Sequence, residues 1–149
     1  MLKVLFVCTG NTCRSPMAKY IFQYLAKKNG LKVSVDSAGI TAQGKQPMSA
    51  NAEIVLKNNN IPVKDVHKSQ RLSPKLVNDS DIIITVTPQH QNNVIWKFPE
   101  AEGKTIHLPE PVLDPFMGNI GAYEDAYDDI YSQIGPLIRK LKRYYKDNK

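Results

Sequence analysis

Residues 7–16 form the stretch Val7-Cys8-Thr9-Gly10-Asn11-Thr12-Cys13-Arg14-Ser15-Pro16. An apolar run ends at Val7, and a helical pattern opens at Pro16. The stretch is therefore expected to form a loop between a buried strand and a helix N-terminus, where backbone N–H groups and the helix dipole can hold an anion. The same positive environment favours the thiolate form of Cys8. A thiolate beside an oxyanion site, with Arg14 in reach, predicts nucleophilic attack on phosphorus.

The residues of this loop are also compatible in part with packing, nucleotide-binding and zinc-binding roles. Free cysteines are commonly buried packing residues, and Cys13 fits that description. A nucleotide-binding loop does not fit, because Gly10 is the only glycine of this loop and the loop contains no Gly-Lys-Ser/Thr. A zinc site does not fit either, because Cys8 and Cys13 form no Cys-x-x-Cys pair and no histidine pair accompanies them. The catalytic interpretation of Cys8 and Arg14 is therefore favoured.

Residues Cys8 to Ala18 resemble the signature of the low-molecular-weight protein tyrosine phosphatases, including their bacterial protein-arginine phosphatase branch. The segment Asp36-Ser37-Ala38-Gly39 is similar to the end of the family's second strand, and Asp114-Pro115-Phe116 is similar to its acid loop. The resemblance covers the whole chain and implies one phosphatase domain over residues 1–149. It also implies hydrolysis through a cysteinyl-phosphate.

Asp114 is the candidate general acid. Expelling a leaving group from phosphorus is easier when an acid protonates it as the bond breaks. Pro115 favours an extended, stiff backbone at Asp114, but Asp-Pro is also a common turn dipeptide, so the residues alone leave both interpretations open. The resemblance favours the catalytic one, because Asp114 occupies the position of the family's acid.

The expected mechanism follows from these groups. Arg14 holds two phosphoryl oxygens in bidentate fashion, and loop N–H groups hold the others. Cys8 attacks phosphorus, Asp114 protonates the leaving atom, and its carboxylate then takes a proton from the hydrolytic water. Because arginine and backbone dipoles balance the phosphoryl charge, neither a metal nor a cofactor is expected. The other residues assigned to the loop, called the phosphate loop below, are Thr9, Gly10, Asn11, Thr12, Cys13 and Ser15.

The resemblance also assigns supporting residues. Ser15 is expected to hydrogen-bond the Cys8 thiolate, with an ordinary helix N-cap as the alternative. Asn11 suits a loop position with positive φ and is similar to the family's loop-ordering asparagine. Ser37 and His67 match positions that brace this asparagine, although a lone histidine is often a plain surface or core residue.

Cys13 has two possible roles. The resemblance implies a disulfide with Cys8, which would block attack reversibly and shield the nucleophile from irreversible oxidation. Packing without redox use is the alternative. His90 and His107 receive no role from the sequence.

The substrate side chain is the finer question. Thr12 stands where tyrosine-directed members usually carry an aliphatic residue, whereas the arginine-directed branch is similar to this chain in having threonine there and Phe in Asp-Pro-Phe. A hydroxyl can hydrogen-bond a guanidinium, and residues 40–50 offer no aromatic ring. Tyr123 and Tyr127, by contrast, could form the wall of a phosphotyrosine pocket. Phosphoarginine is favoured and phosphotyrosine is the alternative, with Thr12, Phe116 and Tyr123 as the predicted substrate pocket.

Two further function classes are less favoured. Thioredoxin-coupled arsenate reductases share this loop, but they need cysteines downstream, and this chain has none after Cys13. A non-catalytic phosphate-binding module would be expected to lose Cys8, Arg14 or Asp114, and all of them are present.

Composition is consistent with this interpretation. A chain of 149 residues is expected to form one domain, and it contains no run of 18 apolar residues that could span a membrane. The chain begins directly with a strand pattern, without the features of a signal peptide, and its 2 cysteines suit a reducing cytoplasm. The net charge of +6 suits phosphorylated proteins and free oxyanions as partners, and would equally suit nucleic acid. The basic cluster at residues 139–143 is instead interpreted as a solvated helix end, so neither nucleic acid nor membrane is expected as a partner.

Alternating strand and helix patterns predict a doubly wound α/β domain with a four-stranded parallel sheet and the phosphate loop between the first strand and the first helix. In such sheets, ligands bind beyond the carboxyl ends of the strands, where Cys8 falls. The last helix is predicted to kink or break at Gly135-Pro136. The predicted strands are Leu2–Cys8, Lys32–Ser37, Asp81–Val86 and Lys104–Leu108, and the predicted helices are Pro16–Asn29, Ala50–Asn58, Thr87–Lys97 and Gly121–Tyr145.

Overall fold

The computed structural model describes residues 1–147, so the last two residues of the predicted domain lie outside the described residues. The elements follow one another as β1 (Leu2–Cys8), α1 (Arg14–Lys28), β2 (Val33–Gly39), α2 (Ala50–Asn58), α3 (Pro74–Asp79), β3 (Ile82–Thr85), α4 (Pro88–Lys97), a 3-10 helix (Pro99–Lys104), β4 (Thr105–His107) and α5 (Ile120–Asp147). The four strands form one parallel sheet in the order β2-β1-β3-β4. The predicted fold class is therefore confirmed.

Strand β1 is buried on both faces of the sheet. Its residues Val4 and Phe6 belong to a core shared with α1, α2 and α5, whereas Leu5 and Val7 belong to a second core shared with α3 and α4. Successive strand residues point to opposite faces, so helices on both sides account for the uninterrupted apolar run.

The main additions to the predicted elements are α3 and the 3-10 helix, which the sequence analysis missed. Both begin with a proline in the first turn, Pro74 and Pro99, and α3 is capped by the Ser73 hydroxyl, which accepts a hydrogen bond from the backbone N–H of Leu76 at 3.3 Å. Both are only six residues long, too short for a recognisable apolar period. Helix α1 begins at Arg14 rather than Pro16, and β2 continues to Gly39 rather than ending at Ser37.

Helix α5 continues through Pro136, so the predicted break at Gly135-Pro136 is wrong. Proline removes one backbone donor, but Ile130, Ile134 and Ile138 follow one another at four-residue spacing and are all fully buried. Packing of this apolar stripe stabilises both halves as one continuous helix.

The phosphate loop leaves the carboxyl end of β1 and is held there by the segment that follows β2. The backbone N–H of Ile40 donates to the carbonyl of Cys8 at 2.9 Å, and that of Thr41 donates to the carbonyl of Thr9 at 3.1 Å. Sheet topology therefore fixes the position of the loop. Within residues 1–147, no helix combines the length and apolar character needed to cross a membrane.

Candidate active site

The phosphate loop surrounds a cavity of about 190 Å³ at the carboxyl edge of the sheet. Asp114 and Phe116, from the segment before α5, form the opposite wall. The structure thus brings Cys8, Arg14 and Asp114 together in one small cavity. Its lining residues are Cys8, Thr9, Gly10, Asn11, Thr12, Cys13, Arg14, Asp114 and Phe116.

Cys8 lines this cavity, and its sulfur is contacted by two polar groups. The Ser15 Oγ is 2.9 Å from Cys8 Sγ, and the backbone N–H of Asn11 donates to the same sulfur at 3.3 Å. Ser15 is the second residue of α1 and Cys13 occupies the N-cap, so the N-cap alternative for Ser15 is wrong. Both contacts suit a negatively charged sulfur acceptor.

Asn11 orders the loop from inside. Its φ of 59° lies in the left-handed region, which asparagine tolerates better than most residues. Its Nδ2 donates to Ser15 Oγ at 2.7 Å and to Ser37 Oγ at 2.9 Å, and its Oδ1 accepts the backbone N–H of Gln70 at 3.0 Å. Because Asn11 donates to Ser15, the serine hydroxyl hydrogen is left available for Cys8.

His67 also contacts Asn11, through its backbone. The Nε2 of His67 lies 2.7 Å from the Asn11 carbonyl and must donate there, because a carbonyl only accepts. Burial lowers the pKa of His67 below its usual value, so a neutral ring with its hydrogen on Nε2 makes this contact. Ser37 and His67, both named from the sequence, thus contact Asn11, and so does Gln70, which the sequence analysis had not singled out.

Arg14 connects the phosphate loop to the acid segment. Its side chain is nearly buried, with Nη1 donating to the Val112 carbonyl at 2.9 Å and Nη2 at 3.6 Å from Asp114 Oδ2. Asp114 Oδ1 accepts the backbone N–H of Phe116 at 3.0 Å, which orients the carboxyl group. The carboxyl group is half exposed, so it can reach both a bound leaving group and water.

The predicted substrate pocket is only partly assembled. Thr12 and Phe116 line the cavity, and Phe116 is 63% exposed. Tyr123 is buried and does not line the cavity; its hydroxyl accepts from Ser49 Oγ at 2.9 Å and lies 3.6 Å from Cys13 Sγ. Tyr127 is buried in the core as well. Neither tyrosine ring therefore lines the cavity in which a substrate side chain would bind.

Gly39 is a residue whose role the sequence analysis missed, although the residue itself belonged to a quoted motif. A Cβ at this position would lie 2.5 Å from the Thr9 carbonyl oxygen and 2.9 Å from the Asn11 backbone nitrogen. Only glycine allows β2 to approach the phosphate loop this closely.

His90, to which the sequence analysis gave no role, also contacts the phosphate loop. Its Nε2 lies 2.8 Å from Thr9 Oγ1, and its Nδ1 lies 2.5 Å from Thr87 Oγ1, so both ring nitrogens are engaged. Burial, followed by the nearby charge of Arg14, lowers the pKa of His90 to about 4. The ring is therefore neutral at physiological pH and bridges α4 to the phosphate loop. A single histidine in a helix carries no sequence signal for such a bridge.

The two cysteines are free thiols, and both are buried. Within residues 1–147, no group of three or more His, Cys, Asp or Glu side chains is arranged to hold a metal ion. The Arg14 guanidinium and the phosphate loop line the cavity together with Cys8, and both can bind an anion.

Comparisons with known proteins place this geometry in a family. The low molecular weight phosphotyrosine protein phosphatase family matches residues 3–147. The protein-arginine-phosphatase of Bacillus subtilis is 34% identical over 95% of this chain and 98% of its own, and the low molecular weight protein-tyrosine-phosphatase PtpB of Staphylococcus haemolyticus is 33% identical over 91% and 97%.

A solved structure has the same fold and carries a phosphorylated residue. It is described as a YwlE arginine phosphatase mutant with a phosphorylated active-site serine, and it matches with a TM-score of 0.90 and 32% identity, covering 95% of this chain and 96% of that one. The resemblance of the loop, of the second strand and of the acid segment therefore extends to the complete fold. The chain belongs to the low-molecular-weight phosphotyrosine protein phosphatase family.

Proposed function

We propose that this protein removes phosphoryl groups from protein side chains through a covalent intermediate on Cys8, and that phosphoarginine is its preferred substrate. The observation that carries the proposal is the convergence of Cys8, Arg14 and Asp114 on one cavity of about 190 Å³. This set provides a nucleophile, a planar cation for the phosphoryl oxygens and an acid for the leaving group.

In the first step, the Cys8 sulfur forms a bond to phosphorus while the bond from phosphorus to the substrate nitrogen breaks. Asp114 gives its proton to that nitrogen, so the guanidino group is protonated as it leaves and is not expelled as an anion. Loop N–H groups and Arg14 are positioned to bind the oxygens on which negative charge accumulates. The products of this step are the dephosphorylated side chain and cysteinyl-phosphate.

In the second step, water attacks phosphorus and the bond between sulfur and phosphorus breaks. Asp114, now ionised, accepts the proton of the water, and inorganic phosphate and the Cys8 thiolate are released. Ser15 and the Asn11 N–H, at 2.9 and 3.3 Å from the sulfur, stabilise the thiolate as the leaving group. Protons and charge therefore balance without a metal ion.

The preference for phosphoarginine rests on the wall of the cavity. Thr12 offers a hydroxyl there, which can hydrogen-bond the N–H groups of a guanidinium, whereas a phenol ring gains nothing from it. The burial of Tyr123 removes one aromatic surface that a phosphotyrosine would use. A phosphotyrosine substrate is the second candidate, because the exposed ring of Phe116 could pack against a phenol ring and PtpB is named a tyrosine phosphatase.

The deciding experiment compares phosphate release from phosphoarginine and phosphotyrosine peptides of otherwise identical sequence. Cys8→Ala is the blank, since a serine at this position can itself accept a phosphoryl group, as in the phosphorylated mutant of the related phosphatase. We expect the wild type to favour phosphoarginine and Thr12→Ile to reduce that preference roughly tenfold, the value of one hydrogen bond to a charged group. Thr12→Ser, which retains the hydroxyl, should preserve it.

Two other results would contradict different parts of the proposal. A wild-type preference for phosphotyrosine would leave the mechanism intact and replace the substrate. Release from neither peptide by the folded, reduced protein would refute the enzymatic function and leave a phosphate-binding protein.

The remaining expectations are part of the same proposal. Phosphorylated proteins and inorganic phosphate are the partners, and residues 1–149 act as one domain. We place the protein in the cytoplasm, because Cys8 must stay reduced to attack. Oxidation to a disulfide between Cys8 and Cys13 would switch the activity off reversibly.

A further inference from the structure

A second cavity of about 480 Å³ adjoins the active site. Thr9 and Arg14 line both cavities, so the two are contiguous across the rim of the phosphate loop. The remaining wall comes mainly from the first two turns of α4, including Gln89, His90 and Asn93. Nothing in the phosphoryl-transfer steps uses this space.

The active-site cavity is too small for a protein substrate. Pockets that enclose a drug-sized ligand measure roughly 300–1,000 Å³, whereas the cavity around Cys8 measures about 190 Å³. It can hold the phosphoryl group and the end of the side chain that carries it. The polypeptide on either side of the phosphorylated residue must therefore lie on neighbouring surface.

The outer face of α4 extends the second cavity away from the loop. Gln89, Asn93 and Trp96 are spaced at i, i+4 and i+7 and share one face of this helix. Trp96 is the only tryptophan of the chain and is 85% exposed. At a rise of about 1.5 Å per residue, it lies roughly 10 Å along the helix from Gln89. Its exposed ring offers a large apolar surface to a ligand, and tryptophan is enriched among the residues that contribute most to binding energy.

The wall of the cavity is fixed in place. His90 is held by the hydroxyls of Thr9 and Thr87 on its two ring nitrogens, and the Thr87 hydroxyl also caps α4 by accepting the backbone N–H of His90 at 3.1 Å. A surface that is ordered before binding costs less conformational entropy when a ligand docks.

We propose that the second cavity and the exposed face of α4, formed by Gln89, Asn93 and Trp96, bind the polypeptide that flanks the phosphorylated residue of the substrate. This inference rests on the proposed phosphatase function. The second cavity is continuous with the phosphate loop, and this identifies what it binds. A substrate polypeptide whose phosphoryl group is bound by Arg14 extends directly into the second cavity. The amide groups of Gln89 and Asn93 can pair with main-chain N–H and C=O groups of any sequence.

The helix geometry also indicates how much peptide lies along this face. An extended chain advances about 3.3 Å per residue, so the stretch from Gln89 to Trp96 accommodates about three residues of the flanking polypeptide. Aromatic stacking and apolar contact at Trp96 would then add affinity with little demand on sequence. The protein should therefore prefer a phosphorylated peptide over the isolated phosphorylated amino acid.

The test compares the Trp96→Ala variant with the wild type on a phosphorylated heptapeptide and on p-nitrophenyl phosphate. We expect the ratio of kcat/KM for the peptide to kcat/KM for p-nitrophenyl phosphate to fall about fivefold or more, which is the usual effect of losing an aromatic contact residue. The fall should come from a higher KM for the peptide and not from a lower kcat. Ile54→Ala, which shortens an exposed apolar side chain on α2, should leave the ratio unchanged. An unchanged ratio in Trp96→Ala would refute the docking surface while the phosphatase function stands. If the wild type hydrolyses neither substrate, both the docking surface and the phosphatase function are refuted.

Binding can be observed directly, because Trp96 is the only tryptophan. In Cys8→Ala, the heptapeptide should shift the emission of Trp96 to shorter wavelength, whereas inorganic phosphate, which fills only the loop, should not. A peptide that binds by calorimetry without moving the emission would contradict the proposal. A shift that depends on protein concentration alone would show that a second copy of the chain covers Trp96, which also contradicts it.

Discussion

At the scale of single residues, one asparagine determines whether the phosphate loop is ready to bind. Asn11 combines a positive φ with three side-chain hydrogen bonds, and these join the loop to Ser15, Ser37 and Gln70. A loop preorganised in this way does not have to rearrange when a phosphoryl group arrives. The pairing of Asn11 with Ser37 could be predicted from the family resemblance, because both side chains lie in recognisable motifs. The Gln70 contact could not, since its donor is a backbone N–H that any residue would supply.

Asp114 provides the sharpest prediction at this scale. In Asp114→Asn the amide cannot give up a proton, so kcat for a poor leaving group, such as phenyl phosphate, should fall about 100-fold or more. The fall should be much smaller for p-nitrophenyl phosphate, whose product leaves readily as an anion. Steady-state rates across a series of aryl phosphates measure the difference.

Asp125→Asn is the matched control for Asp114. Asp125 is exposed on α5 and does not line the cavity, so the Asp125→Asn variant should hydrolyse every substrate at the wild-type rate. Equal slowing of all substrates by Asp114→Asn would show that the carboxyl group acts by holding Arg14, at 3.6 Å, and not as an acid.

At the scale of secondary structure elements, the contact between β2 and the phosphate loop has no tolerance for a side chain. A methyl group on Gly39 would meet two backbone atoms, the Thr9 carbonyl oxygen and the Asn11 nitrogen, which cannot swing aside as a side chain can. Gly39→Ala should therefore lower the free energy of unfolding by about 1–3 kcal/mol and displace the loop, with a loss of kcat. Urea denaturation and steady-state kinetics measure the two effects.

Gly44→Ala provides the control for the glycine substitution. No atom lies within 4 Å of a Cβ at Gly44, so the free energy of unfolding should change by less than about 0.5 kcal/mol. If Gly39→Ala unfolds at the same urea concentration as the wild type and keeps its activity, the close approach of β2 at Gly39 does not hold the phosphate loop.

The elements that the sequence predicts are those with long or strongly apolar patterns. Strand β1 and helices α2 and α4 are predicted closely, because apolar runs and a Thr-Pro start define them. The start of α1 at Arg14 is missed because the loop itself, and not Pro16, supplies the first helical residues. The continuity of α5 through Pro136 depends on burial of the isoleucine stripe, which becomes visible only when the core is assembled.

At the scale of the whole molecule, two neutral histidines hold the phosphate loop from opposite sides. His67 donates to the Asn11 carbonyl from the segment after α2, and His90 contacts Thr9 from α4. Burial lowers the pKa of both rings, so neither is charged in the folded protein near neutral pH. The site thus depends on long-range contacts across the sheet, and acid weakens the folded state that makes them.

The sign of the pH dependence follows from the histidine pKa values. His90 has a pKa of about 4 in the folded protein, with Arg14 and Asp114 as the charged groups near it, and about 6.5 when unfolded. Below pH 6.5 the unfolded chain binds the extra proton, so stability present at neutral pH is lost as the pH falls toward 4. For His90 alone, this loss amounts to about 2 kcal/mol between pH 7 and pH 4.5.

The His90→Gln variant isolates this contribution. Glutamine does not titrate, so its free energy of unfolding should fall about 2 kcal/mol less than that of the wild type between pH 7 and pH 4.5. The comparison uses the difference between two pH values, which cancels any constant cost of replacing the ring and the shared contribution of His67 and the carboxylates. Urea denaturation at both pH values measures it. Parallel pH curves for the two proteins would mean that His90 is as easily protonated in the folded state as in the unfolded one, and that it does not remain a neutral bridge from Thr87 to Thr9.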